Sequence, residues 1–223
     1  MSEKPAIAII GGTGAEGGGI ALRLAKAGYP IVIGSRDAAK AEEGAALLAR
    51  QIPGAAIVGA ANREAAAAAG IVLLTVPYAA QQSTLETIHD RLEGKILVDA
   101  TAPLMPPRVN RVQLPAGGSA VAAIQALLGD QVRVVSAFQN VSAEKLRHLD
   151  EPVVCDVLVC ADDAEARQVV IDLVQAMGMR GIDAGPLCNS AAAEALTSVL
   201  IWINRKYKVP GAGIAITGLT SGT

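Results

Sequence analysis

Aromatic residues are nearly missing: one Phe, one Trp and three Tyr among 223 residues. A core without rings must be filled by layers of aliphatic side chains. Helices covering both faces of a parallel sheet do this, because doubly buried strands are continuous aliphatic runs. The same scarcity removes the stacking platforms that single-stranded nucleic acids use. Neither sign of charge is in excess, the formal net charge being −2, so attraction to a nucleic-acid backbone has no electrostatic basis and no nucleic-acid partner is expected. No apolar run of about 18 residues is free of a charge, glycine or proline, so neither a transmembrane helix nor any membrane partner is expected. Residues 1–4 lead directly into a strand, and a signal peptide is not expected.

Cysteine is scarce too, at three irregularly spaced positions, and there are two histidines. An odd cysteine count points to a reduced, cytoplasmic protein. Cys155 and Cys160 are five positions apart on a strand-like segment and so face opposite ways. With only His89 and His148 as further soft ligands, no metal site is expected.

What is present is short aliphatic runs alternating with longer amphipathic or Ala-rich segments. Strands are expected at 6–10, 31–33, 56–58, 71–76, 96–99 and 132–138, with helices at 17–27, 38–50, 62–68 and 79–92. Strand, helix, strand repeated in this way implies right-handed βαβ units in a parallel sheet. The Pro- and Gly-rich stretch 101–118 has neither period and is a loop. Beyond it, a strand at 153–160, an Asp-capped helix at 162–177, a strand at 179–183 and a long apolar helix at 188–207 precede a Gly-rich tail, 209–223. The expected fold is α/β: a Rossmann-like, doubly wound, mostly parallel sheet with a small C-terminal α/β extension. Its division falls near Ser142, giving a dinucleotide domain, 1–142, and an extension, 143–223, that closes one side of the crevice.

Residues 9–17 read Ile-Ile-Gly-Gly-Thr-Gly-Ala-Glu-Gly, following the first strand and opening a helix. Gly12, Gly14 and Gly17 fit G-x-G-x-x-G. The first makes the tight turn, the second lets backbone approach a pyrophosphate, and the third lets the helix pack on the strand. The helix end, with Thr13, Ala15 and Glu16, offers N–H groups and a positive dipole to the phosphates. Gly11, Gly14 and Gly17 also fit the spacing of short-chain dehydrogenases, but none of Tyr29, Tyr78 and Tyr207 has the lysine four residues on that those enzymes use. A catalytically silent relative stays open.

The ribose 2′ position is read about 20 residues beyond such a turn, at the end of the second strand. This chain has Gly34-Ser35-Arg36-Asp37 there, with Lys40 one turn on. A hydroxyl, a guanidinium and an ammonium form a phosphate site, so the dinucleotide is read as NADP. Asp37, which could instead serve a 2′-hydroxyl, is read as a helix N-cap. The other strand ends place Val76 and Pro77, Ala100, and then Gln139 and Asn140 beside the nicotinamide. No triad or acid/base pair stands out, and Glu16, His89 and His148 are isolated. Hydride transfer between two redox cofactors tolerates that, because it needs stacked rings more than a protein acid.

With these segments in place the chain resembles the NADPH-dependent F420 reductases. The likeness is carried by Ile9-Ile10-Gly11-Gly12-Thr13-Gly14 with Gly17, by Ala21-Leu22-Arg23-Leu24-Ala25 through Gly34-Ser35-Arg36, by Val135-Ser136-Ala137, and by Asp183-Ala184-Gly185-Pro186-Leu187 with Asn189 and Ser190. The resemblance implies an oxidoreductase passing a hydride between NADP(H) and the deazaflavin coenzyme F420. Thr13, Ser35, Arg36 and Lys40 would hold NADP. Pro77, Asn140 and the run Gly185, Pro186, Leu187, Cys188, Asn189 and Ser190 would line the crevice for the second substrate. Archaeal members carry a histidine where this chain has Gln139, and their tail is shorter. A reductase of another acceptor (flavin, pterin, imine or ketone) and a non-catalytic NADP sensor are the alternatives. The apolar stretch 191–203 with Trp202 fits a subunit interface or an intramolecular core helix, and a homo-oligomer, a homodimer, is expected.

Overall fold

The computed structural model describes residues 4–219; the last four residues of the Gly-rich tail lie outside them. The elements in chain order are β1 (Ile7–Ile10), α1 (Ala15–Lys26), β2 (Ile31–Ser35), α2 (Ala38–Ala49), β3 (Ile57–Ala61), α3 (Asn62–Ala67), β4 (Ile71–Leu74), α4 (Tyr78–Ile88), β5 (Ile96–Asp99), α5 (Ala120–Leu128), β6 (Arg133–Ser136), α6 (Ala143–Arg147), β7 (Asp156–Ala161), α7 (Ala164–Ala176), β8 (Arg180–Asp183) and α8 (Ser190–Tyr207). Two helices are additions to the sequence reading. In α5, AVAAIQALL, almost every residue is apolar, so no periodic contrast marks it. The other, α6, is five residues long.

The strands form one sheet in the order β3-β2-β1-β4-β5-β6-β7-β8. Order reverses between β1 and β4, which opens the crevice above the carboxyl ends of the two strands. Alternation along each strand separates two cores. Ile7, Ile9, Ile31, Ile33, Ile71 and Leu73 pack with α1, α2, α6 and α7 on one face. Ala8, Ile10, Val32, Val72 and Leu74 pack with α3, α4 and α5 on the other. Burial on both faces explains why these strands read as unbroken aliphatic runs.

Strand polarity changes once. Strands β1 to β6 pair in parallel, β7 pairs antiparallel to β6 with Ser136 opposite Cys160, and β8 is parallel to β7. Where β1 to β6 lead up to the crevice edge, β7 and β8 lead away from it. The sheet is thus continuous across residue 142, and the extension is tied down a second time by Arg23. From α1 that side chain donates to the carbonyls of Leu146, Lys145, His148 and Glu151 at 2.9–3.1 Å, satisfying the carbonyl end of α6.

Candidate functional site

The turn after β1 is built by backbone bonds: Gly12 N–H to the Ile9 carbonyl at 3.1 Å and Gly14 N–H to the Gly11 carbonyl at 2.9 Å. Its glycines serve different ends. A Cβ at Gly17 would collide with Thr75 Oγ1 and come within 2.8 Å of the Gly12 Cα, so this glycine is required by packing. A Cβ at Gly14 would meet only the Gly11 carbonyl oxygen, at 3.2 Å, and would otherwise project into the groove. Gly14 therefore leaves the groove beside the turn open. It also heads α1 with no side-chain cap, whereas Asp37, Ser119, Ser142 and Asp163 cap α2, α5, α6 and α7. The first N–H groups of α1 therefore face the groove without an internal acceptor, the arrangement an anion fills.

Two cavities share this turn. The first, about 250 Å³, is lined by Gly11, Thr13, Gly14, Ser35, Arg36, Asn62, Thr75, Val76, Pro77, Ala80 and Thr84. Ser35 and Arg36 are brought together at its outer end. Asp37 caps α2 by accepting from Ala39 N–H at 3.0 Å, while the Arg36 side chain has no hydrogen bond or ion pair among the described residues. Lys40 is exposed on α2 and does not line the cavity. Asn62 was missed by sequence reasoning. It is buried with an unpartnered Oδ1, a polar atom held at the wall of a nucleoside-sized space. Its position after β3 was the available signal.

The second cavity, about 640 Å³, opens from the first through Gly14, Thr75, Val76 and Pro77. Ala15, Glu16 and Ala100 line it, together with Leu104, Pro106 and Val109 from the Pro/Gly loop, Gln139 and Val141 after β6, and Thr197 and Ile201 from α8. Gly12 instead borders a third hollow behind α1, and Gly17 is buried in the helix. Asn140 lies beside the second cavity rather than in it, donating to the Ala193 carbonyl at 2.7 Å and so fastening α8 to the loop after β6.

The floor carries polar groups in an apolar setting. Asp99, wholly buried, accepts from Gln81 Nε2 at 2.6 Å and from Thr101 N–H at 2.8 Å. Burial still holds its carboxyl above the ordinary carboxylate value, against the lowering effect of those bonds. Half-buried Glu16 is pushed up to about 8, first by desolvation and then by the charge of Asp99. Gln139 Oε1 and Thr101 Oγ1 are buried without a partner.

The expected roof, Gly185 to Ser190, is not brought into this cavity. Because β8 runs away from the crevice edge, the Gly185 carbonyl accepts from Ala161 N–H, level with Val135 inside β6. Leu187 is buried in the core beneath α5, Pro186 and Gly185 form the turn leading to it, and Cys188 and Asn189 are exposed. Ser190 is locked to Ser119 and Glu194. The chain returns to the crevice only along α8. From Ser190 to Ile201 is eleven residues, about 16 Å of helix, so Thr197 and Ile201 stand where the earlier residues were expected.

The model of the family described as NADP oxidoreductase coenzyme F420-dependent matches residues 6–103. A protein of Methanocaldococcus jannaschii named F420-dependent NADP reductase is 45% identical over 221 residues, covering 96% of this chain and 98% of that one. A protein of the same name from Methanothermobacter thermautotrophicus is 42% identical over 221 residues, covering 96% and 95%. The chain belongs to the F420-dependent NADP reductase family. A solved structure from Arthrobacter sp. FB24 is similar to it with a TM-score of 0.79 at 28% identity, covering 95% of this chain and 98% of that one. The shared fold therefore extends over the whole sheet, including β7 and β8 beyond the matched residues of the family model. Among the described residues no helix is long and apolar enough to cross a membrane.

Proposed function

We propose that this protein is an oxidoreductase that transfers a hydride between NADP(H) and the deazaflavin coenzyme F420, both bound as substrates. The single observation that carries this reading is the pair of joined cavities. One is a narrow space ending at Ser35 and Arg36, and the other is a wide, mostly apolar space with room for a second planar ligand. Membership of the family supports the identity of both ligands.

In this reading Ser35, Arg36 and Lys40 hold the 2′-phosphate, and Thr13, Gly14, Ala15 and the first turn of α1 hold the pyrophosphate. Val76, Pro77 and Ala100 flank the nicotinamide. Pro77 contributes a wall with no N–H. The nicotinamide supplies the hydride, and the chain's own work is to orient two rings and exclude water between the Pro/Gly loop and α8. The division near residue 142 then separates the dinucleotide-holding part from the part that supplies Gln139's neighbours and α8. We place the enzyme in the cytoplasm as a homodimer. Three free cysteines fit the first statement, and Val199 and Trp202, 41% and 54% exposed on the outer side of α8, support the second.

Mixing protein, NADPH and deazaflavin should bleach the deazaflavin absorbance. Arg36→Ala should weaken NADP by about 1.5–3 kcal/mol, the scale of a charge-assisted contact, and leave NAD affinity unchanged by calorimetry. Turnover of an imine or ketone without deazaflavin reduction would sink the reading.

A further inference from the structure

We infer that Glu16 is the proton donor of this reaction, bringing a proton into the ternary complex and giving it to the acceptor as the hydride arrives. The inference rests on the hydride-transfer reading above. Reduction of a deazaflavin, or of an imine or ketone, takes a proton as well as a hydride: NADPH + acceptor + H⁺ → NADP⁺ + reduced acceptor. The hydride forms a C–H bond on the acceptor. The electron pair this displaces onto nitrogen or oxygen is taken up by the proton as the Glu16 O–H bond breaks. Glu16 remains as a carboxylate until solvent reprotonates it. A chain with no dedicated acid would have to borrow that proton from water in a cavity that otherwise excludes it.

The geometry singles out this carboxyl. Among the described residues lining the second cavity, Glu16 and Tyr78 are the titratable ones, and no lysine, arginine or histidine is among them. Glu16 has no hydrogen bond or ion pair among the described residues. Asp99 from β5, whose own oxygens are occupied by Gln81 and Thr101, acts on it as a like charge. Tyr78, at the head of α4, also borders a separate hollow against α5.

The wall around it is polar as well: Gln139 and Thr101 line the same cavity. The positive end of α1 favours the carboxylate form, but the phosphates of a bound dinucleotide lie at that same end and cancel it. Desolvation and Asp99 raise the carboxyl to about 8, so the acid form is present at neutral pH. It is lost as pH rises through that value. NADPH oxidation should therefore slow above about pH 8, and the reverse reaction, which needs the carboxylate, should slow below it.

The test pairs spectroscopy with kinetics. In ligand-free protein, infrared difference spectra should show a protonated carboxyl that titrates near pH 8 and is missing in Glu16→Gln. With deazaflavin, Glu16→Gln should oxidise NADPH about a hundredfold more slowly and lose the alkaline limb of the pH profile, while calorimetry shows NADP still bound. Asp99→Asn removes the like charge and should move that limb to lower pH. An ionised Glu16 at pH 7 would overturn the inference. So would a Glu16→Gln enzyme with wild-type rate and profile, or an alkaline limb that disappears in Tyr78→Phe instead. Wild-type protein inert towards deazaflavin would overturn the hydride-transfer reading itself, and the infrared titration, which needs no acceptor, would still decide whether Glu16 holds a proton.

Discussion

The side-chain amide of Gln139 donates to the main-chain carbonyl of Asp99 at 2.8 Å, across the carboxyl ends of β6 and β5. The bond fixes the side-chain amide of a residue that lines the second cavity. Gln139→Leu removes this donor from the Asp99 carbonyl, which keeps the Ala137 N–H at 3.4 Å. Stability should fall by about 0.5–1.5 kcal/mol, the net worth of one hydrogen bond. The KM for the second substrate should rise while NADP affinity holds. Urea melts and steady-state kinetics measure the two effects separately.

Gly14 and Gly17 should separate binding from folding. Gly14→Val is expected to fold normally, because its side chain meets little but the Gly11 carbonyl, and to lose dinucleotide binding. Gly17→Ala is expected to lose stability first, because its Cβ has no room against Thr75 and Gly12. Thermal melts with calorimetry distinguish them, and unaltered NADP affinity in folded Gly14→Val would show that the turn serves packing alone.

Ile201 lines the second cavity but not the first. Ile201→Trp fills part of that space from α8. It should impair the half-reaction with the acceptor and leave NADP affinity within about threefold, less than 1 kcal/mol. An equal bulk at Ala191, on the first turn of α8, should do neither, since β8 and the start of α8 stand away from the crevice edge. Comparing the two variants in acceptor kinetics tests the placement of the second ligand directly.

Arg23 is 7% exposed and makes four hydrogen bonds to carbonyls at and after the end of α6. Burial lowers its pKa, and the four acceptors keep the buried guanidinium hydrogen-bonded. Arg23→Met keeps the length of the side chain and takes the guanidinium donors from the Leu146 and Glu151 carbonyls, while those of Lys145 and His148 keep backbone donors. A loss of about 3 kcal/mol is expected, read as a shift in urea midpoint, with protease cutting first between residues 143 and 151.

Asp156 opens β7 and accepts from Arg180 at 2.7 and 2.6 Å. The side-chain hydrogen bond from Arg180 holds its carboxyl below the ordinary value. A depressed folded pKa contributes stability that is fully present above the unfolded value, about 3.9, and is lost as pH falls through the folded one. Wild-type protein should therefore lose part of its stability below about pH 4. Asp156→Asn should be less stable at pH 7 and show a shallower acid limb in pH-dependent melts.

Much of this protein is written locally. Ile7–Ile10 and Ile71–Leu74 declare buried parallel strands because nothing polar interrupts them. Gly12 and Gly17 declare the turn because only glycine tolerates those approaches, and Ser35-Arg36 follows the second strand at the distance where a ribose 2′ position would be read. Even the cap at Asp37 could be read from its place before an Ala-rich helix.

The tertiary structure decided what depends on direction and distance across the sheet. Nothing in residues 156–161 says whether that strand runs with or against β6. Polarity is set by how the chain returns after α6, and it carried Gly185–Ser190 away from the crevice and sent Thr197 and Ile201 into it. Asn62, far from the Gly turn in sequence, reaches the first cavity only because β3 lies beside β2. Glu16 looks like an ordinary first-turn acid until Asp99 from β5 acts on it as a like charge. Propensity and spacing act over a few residues, whereas burial and like-charge proximity exist only once distant strands share an edge.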